Sequence, residues 1–315
     1  MKTPLLSICI ATYNRADFIG ETLNSIIPQL ENDVELLIVD GASTDNTKDT
    51  VLKFAKTESR IRYIRLESKG GVDQDYNKAV KLARGDFCWL FTDDDLFKPG
   101  AIAAVKKAIN SGNELIIVNA EVRDFKLSTI LCPKKIILHS DKSYAPNDIV
   151  GLFTDSMPYL SFIGAVIIRR NLWLSRDRKS YFGTEFIHVG VIFQNFIMAP
   201  VTIIANPYII TRWGNAQWTE RSFNIWMFKW PKLIWSFKDI PNTAKLRVTP
   251  KEPWLNIKKL IIERIEGRYT ISSYKQHFSN MKINFLWKLF SWLIACFPRN
   301  ILIIFHRIYN IIKCK

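Results

Sequence analysis

Four times before residue 100, an apolar run of six or seven residues ends in a polar cluster and is followed by a segment with helical spacing. The runs are LLSICIA at 5–11, VELLIVD at 34–40, IRYIRL at 61–66 and DFCWLF at 86–91, and ELIIVNAEV at 114–122 adds a fifth. Strand and helix alternating at this spacing imply an α/β fold, with a largely parallel sheet covered by helices on both faces. The helices are expected at 17–31, from near Thr44 with Ser43, Thr44 and Asp45 as caps, at 72–83, and from Pro99 at a first helical position. In an open sheet of this kind, ligands bind beyond the carboxyl ends of the strands. The clusters TYNR, DGASTDN, SKGGVDQDYN and TDDD therefore converge on one rim. One of them alone reads as a solvated turn; four together read as a binding edge.

Asp93, Asp94 and Asp95 follow the fourth run without a break. Like charges this close repel unless a cation or a set of donors neutralises them. A hard divalent cation, Mg2+ or Mn2+, is the economical partner, because it takes oxygen ligands and commonly uses one or two carboxylates plus substrate phosphates. That reading expects the carboxylates to face a cleft without being neutralised by the protein's own lysines or arginines. Neither GxxxxGK nor GxGxxG occurs, which disfavours a P-loop ATPase and a dinucleotide-binding fold.

Taken together, LLSICIATYNR, LLIVDGASTDNT and GGVDQDYNKAVKLARGDFCWLFTDDDLFKPGAI resemble the family 2 glycosyltransferases with the GT-A fold, in order and spacing. The likeness covers residues 4–120 and extends more weakly to 218. Within the family, GGVDQDYN, GTEFIHVG and RWGNAQW are similar to O-antigen abequosyltransferases. The resemblance implies a Rossmann-like GT-A sheet, a nucleotide-diphosphate sugar donor and a divalent metal, Mn2+ or Mg2+. It implies that Thr12, Tyr13, Asn14 and Arg15 line the nucleotide pocket and that Asp40 contacts the base. Asp93 matches a position near the ribose, Asp94 the main metal ligand, and Asp95 a helper acting through water. The family often writes D-x-D-D, and Thr92 stands in the first place here, so the division of ribose and metal among Asp93, Asp94 and Asp95 stays open. Asp73 and Asp75 would reach the donor side, with Gly70 and Gly71 allowing close backbone approach; helix capping by Asp73 is the alternative.

An inverting transferase also needs a general base for the acceptor hydroxyl. Glu185, at a helix start with Thr184 as its cap, fits that role; an ordinary first-turn glutamate is the other reading. His188, one turn along the same face, would touch diphosphate, metal or acceptor, or is a satisfied half-buried histidine. Asp155 is a reserve base. Arg212 would pair with the diphosphate, and Trp213 or Trp218 would stack on a sugar face, unless they form an internal arginine–indole contact. The spacing departs from QxxRW, so processivity is not inferred. The alternatives are a nucleotidyltransferase, which would want a Gly-rich basic loop where this chain has ATYNRAD, and a catalytically inactive nucleotide-sugar-binding membrane scaffold.

The chain carries a net charge of +15, and residues 244–315 hold 14 Lys or Arg against 3 Asp or Glu. These cations alternate with FLWKLFSWLIACF and ILIIFHRIY, a pattern for an anionic membrane surface rather than nucleic acid. No helix-turn-helix, zinc-finger or RNP pattern occurs. The expected organisation is a nucleotide-sugar-binding half at 1–120, an acceptor-binding half at 121–230 and a basic amphipathic helical region at 231–315. The apolar runs around Pro298 are too short for a transmembrane span, so two helices lying in the cytoplasmic leaflet are expected, near a lipid-linked oligosaccharide acceptor. A hairpin packed on the catalytic domain or used for oligomerisation is the competing reading. Scattered cysteines and the lack of a signal-peptide pattern lead to the expectation that the catalytic part stays in the cytoplasm, with the protein peripheral on the cytoplasmic face of the bacterial inner membrane.

Overall fold

The computed structural model describes residues 3–215 and 219–313. Its first strands are β1 (Leu6–Thr12), β2 (Val34–Asp40), β3 (Ile61–Arg65) and β4 (Phe87–Phe91), alternating with helices α1 (Ala16–Ile26), α2 (Thr47–Ala55) and α3 (Val72–Leu82). These strands run parallel in the order β3-β2-β1-β4. β2 and β4 are buried at every position, and so lack the polar alternation of a one-sided sheet. α1 seals one face with Ile19, Leu23 and Ile26. It stops short of the expected residue 31 because Pro28 falls in a 3-10 turn that follows.

Next come β5 (Leu96–Phe97), α4 (Ala101–Asn110), β6 (Leu115–Arg123), β7 (Ile130–Cys132), β8 (Lys142–Tyr144) and α5 (Ile149–Ser156). They are followed by β9 (Val166–Arg169), α6 (Arg170–Ser175), α7 (Ile187–Phe193) and β10 (Val201–Arg212). Pro99 does not open α4. Gly100 caps the helix at φ 83°, a left-handed step that glycine takes without cost. β9 inserts antiparallel between β4 and β6, and β6 then pairs parallel with β10. The β6–β10 register slips around Pro207, which cannot donate to the ladder. The sheet is thus a parallel block extended by a mixed one.

The described chain forms two compact units: Met1–Asn215 with Phe237–Ala244, and Ala216–Ser236 with Lys245–Lys315. The helices after the sheet are α8 (Ser222–Asn224), α9 (Trp230–Ser236), α10 (Asn242–Val248), α11 (Ile257–Ile265), α12 (Ile271–His277), α13 (Phe285–Cys296) and α14 (Arg299–Lys313). The second unit has its own core of Phe223, Met227, Trp254, Leu260, Tyr269, Phe278 and Ala295. Phe223 stacks on Tyr269 at 4.8 Å, and the Tyr269 hydroxyl donates to the Ser291 carbonyl at 3.0 Å. Among the described residues, no single helix is long and apolar enough to cross a membrane; α13 and residues 299–306 of α14 meet at a 93° bend.

Candidate active site

The loops after β1 and β2 are fastened to each other strand end to strand end. Asn14, at φ 53°, donates its backbone N–H to Ser43 Oγ at 2.9 Å and accepts from the Thr44 N–H at 2.8 Å. Arg15 N–H donates to Thr47 Oγ1 and Ala16 N–H to Asp45 Oδ2. Asp40 is fully buried; it accepts from the Ser43 N–H at 2.7 Å and from the Tyr63 hydroxyl, with Arg65 at 3.6 Å. Tyr63 and Arg65 were not singled out from the sequence. Only the β2–β3 register, which sets Asp40 beside Arg65, brings them to this carboxylate. Tyr13 carries the Lys69 ammonium over its ring at 3.8 Å, and Thr12 is buried at the end of β1.

At the end of β4, Arg15 Nε lies 3.3 Å from Asp93 Oδ1, and Arg15 Nη2 lies 3.1 Å from Asp94 Oδ2. Asn215 Nδ2 also donates to Asp94 Oδ2, at 2.6 Å. The expectation of carboxylates untouched by the protein's own cations is therefore corrected: Arg15 bridges two of them. Burial and the Asp94 charge hold the Asp93 carboxyl up to about 7 despite Arg15, and burial raises Asp94 as well. Arg15, Asn215 and the charge of Arg212 act against that rise at Asp94.

Asp95 does not join the pair. Its Oδ1 accepts from the Arg212 N–H at 2.8 Å and its Oδ2 from the Thr92 hydroxyl at 2.5 Å, inside the fold, where burial raises its pKa well above the usual range. The residue expected as a third metal ligand ties β10 to the end of β4. Arg212 is corrected similarly: its guanidinium donates to Glu21 and to the Phe125 and Asp94 carbonyls, so its donors face α1 and two backbone oxygens. Trp213 is 68% exposed. Trp218, expected to stack on a sugar, lies outside the described residues.

Asp75 accepts from the Gly70 N–H at 3.1 Å, and a side chain at Gly70 would meet this carboxylate at 2.7 Å, so the glycine here serves the loop itself. Asp73 neither caps α3, whose N-cap is Gly71, nor opens to the rim. It accepts from the Glu185 N–H at 2.8 Å and the Ile187 N–H at 2.9 Å. Glu185 stands in the turn before α7, at φ 73°, and the expected helix from 184 narrows to seven residues. Thr184 bonds within that turn, its hydroxyl donating to the Tyr181 carbonyl and accepting from the Phe186 N–H. His188 is buried on α7 with Nε2 donating to the Leu160 carbonyl at 2.8 Å, so it shares no helix face with Glu185. Asp155 accepts from Lys142 at 2.5 Å and Tyr144 at 2.7 Å; these bonds outweigh the upward pull of burial and lower its pKa, which weakens it as a base.

Among the described residues, no three His, Cys, Asp or Glu side chains group to hold a metal ion by themselves. The donor chemistry still fits one. Two adjacent carboxylates at a strand end are oxygen ligands suited to a hard cation that completes its shell with phosphates and water.

A largely parallel sheet whose first four strand ends gather polar loops around carboxylates is the GT-A arrangement. The profile of glycosyl transferase family 2 matches residues 7–150 of the chain. It is 28% identical over 236 residues, 69% of each chain, to Abequosyltransferase RfbV of Salmonella typhimurium. It is 31% identical over 110 residues to the GalNAc(5)-diNAcBac-PP-undecaprenol beta-1,3-glucosyltransferase of Campylobacter jejuni, covering 35% of this chain and 36% of that one. In three dimensions it resembles S. aureus TarS 1–349 in complex with UDP, with a TM-score of 0.59 at 16% identity over 91% of this chain and 88% of that one. The mannosyltransferase PcManGT of Pyrobaculum calidifontis, in complex with GDP-Man and Mn2+, matches with a TM-score of 0.55 at 15% identity over 94% and 85%. At these identities the structural likeness is one of fold.

Proposed function

We propose that this glycosyltransferase moves one sugar from a nucleotide-diphosphate sugar to a lipid-linked saccharide during assembly of a cell-surface polysaccharide. The observation that carries the donor reading is the Asp93–Asp94 pair, bridged by Arg15 at the strand-end rim of the parallel block. The abequosyltransferase relative supports a CDP-linked dideoxyhexose donor, and the undecaprenol-linked substrate named for the second relative supports a lipid-linked acceptor.

In this reading the acceptor oxygen bonds to the anomeric carbon as its proton passes to Glu185. The carbon–oxygen bond to the diphosphate breaks, and its electron pair leaves on the diphosphate. A divalent ion held by Asp94 with Asp93 would, when bound, offset charge on that diphosphate. Arg15 adds a second positive charge at the same place. Asp95, through the Arg212 backbone and Thr92, keeps the two outer carboxylates in register. The exposed apolar face of α13 would hold the enzyme against the cytoplasmic leaflet where a lipid-linked acceptor resides.

Titration calorimetry of UDP, CDP and GDP with Mn2+ and with EDTA tests the metal. We expect Mn2+ to tighten binding of one nucleotide about tenfold or more, Asp94→Asn to remove that gain, and Arg15→Gln to raise the affinity for Mn2+ alone by freeing both carboxylates. Equal binding with Mn2+ and EDTA would leave Arg15 as the diphosphate's counter-charge and remove the metal. Turnover of no nucleotide sugar in a donor panel would favour the inactive scaffold.

A further inference from the structure

Glu185 holds a backbone conformation that few non-glycine residues adopt, two positions after Gly183, itself at φ 83°. Such a conformation persists only where the surroundings over-determine it. Beside the Thr184 bonds within the turn, the surroundings here include a carboxylate more than a hundred positions earlier in the chain. Asp73 accepts the Glu185 N–H on Oδ2 at 2.8 Å and the Ile187 N–H on Oδ1 at 2.9 Å, and the Gly183 N–H faces the same group. Asp73 is only 4% exposed and has no capping duty on its own helix. Three residues along α3, on the same face, Tyr76 donates its hydroxyl to the Phe91 carbonyl at 2.8 Å, two positions before Asp93. One helix is therefore fastened to the acidic rim at one turn and to the Glu185 turn at the next.

We infer that Asp73 is a positioning residue for Glu185: by fixing this backbone left-handed, it sets where the glutamate stands relative to Asp93 and Asp94, with α3 as the strut between them. The inference rests on Glu185 being the general base. A carboxylate suits the task because both oxygens accept, whereas an amide would turn an NH2 group toward one of the backbone donors.

The test is a double-mutant cycle of Asp73→Asn and Glu185→Gln, assayed with the nucleotide sugar that the wild type hydrolyses fastest, together with amide hydrogen exchange of the ligand-free protein. Asp73→Asn should speed exchange at residues 185 and 187, lower kcat about 10- to 100-fold and leave the donor KM near the wild-type value. Glu185→Gln should cost about 100-fold or more in kcat, and the double variant should be no slower than Glu185→Gln alone. If Asp73→Asn does not fold, Asp73→Glu, which keeps the charge and displaces both oxygens, takes its place with the same expectations. A wild-type kcat in Asp73→Asn beside a crippled Glu185→Gln overturns the positioning role alone, as does an equal fold-loss from Asp73→Asn in the Glu185→Gln background. A wild-type kcat in Glu185→Gln removes the base, and the positioning role with it.

Discussion

The ring of His188 gives its Nε2 proton to the Leu160 carbonyl and buries Nδ1 with no hydrogen-bond partner among the described residues. Burial lowers its pKa to about 4, so the ring is neutral at physiological pH. In the unfolded chain it would take up a proton near pH 6.5, and in the fold only near 4. The unfolded state thus binds more protons across that interval, and stability falls as pH drops from 6.5 to 4. Relative to His188→Gln, the wild type should lose about 3 kcal/mol of unfolding free energy over that window. Denaturant titration at several pH values measures the difference, and kcat at pH 7.5 should change by much less than for Glu185→Gln. A loss of kcat matching that of Glu185→Gln would return His188 to the chemistry. His188 and Asp155 were legible from the sequence as polar residues in a promising region. What their side chains meet was not, because Leu160, Lys142 and Tyr144 approach them only through the fold.

At the scale of elements, the alternation up to Asp95 was readable because β2 and β4 are mostly apolar and buried at every position, and the helices between them keep one buried face. In the second half the apolar runs that become β9 and β10 were legible, but their places in the sheet were not, since the antiparallel seat of β9 between β4 and β6 comes from the edges of those strands rather than from its own pattern. The zipper between residues 14–16 and 43–47 was hidden for a related reason: parallel neighbours bring together loops about thirty positions apart. It makes a prediction. Asn14 sits at φ 53° and bonds Thr44, so Asn14→Gly keeps the backbone and loses the bonds, whereas Asn14→Ala loses the bonds and adds strain. Both variants should bind nucleotide more weakly, and Asn14→Ala should unfold at about 1 kcal/mol lower free energy than Asn14→Gly. Equal stability of the two would show that the loop relaxes without its left-handed step.

On the scale of the whole molecule, the basic excess collects in the second unit, and so does an apolar face that the unit's own core leaves uncovered. α13 turns Ser291 and Ala295 inward, while Phe285 is 74% and Phe290 50% exposed, with Leu286, Trp292 and Leu293 beside them. Exposed Lys282 and Arg299 stand beyond the two ends of the helix. An apolar stripe with cations at its ends suits the boundary between acyl chains and anionic headgroups. Deleting the helix would be a poor test, because Ala295 belongs to the core and Ser291 accepts the Tyr269 hydroxyl. Phe285→Glu and Phe290→Glu leave that core in place. Each should weaken co-sedimentation with phosphatidylglycerol-containing vesicles by about tenfold or more, since it removes an exposed aromatic that would enter the bilayer and adds repulsion. Raising the salt should weaken wild-type binding by screening the cations, and neutral phosphatidylcholine vesicles should bind least. Unchanged sedimentation of both variants, with a mass in solution that rises with protein concentration and falls to that of one chain in either variant, would instead assign the face to a second copy of the protein.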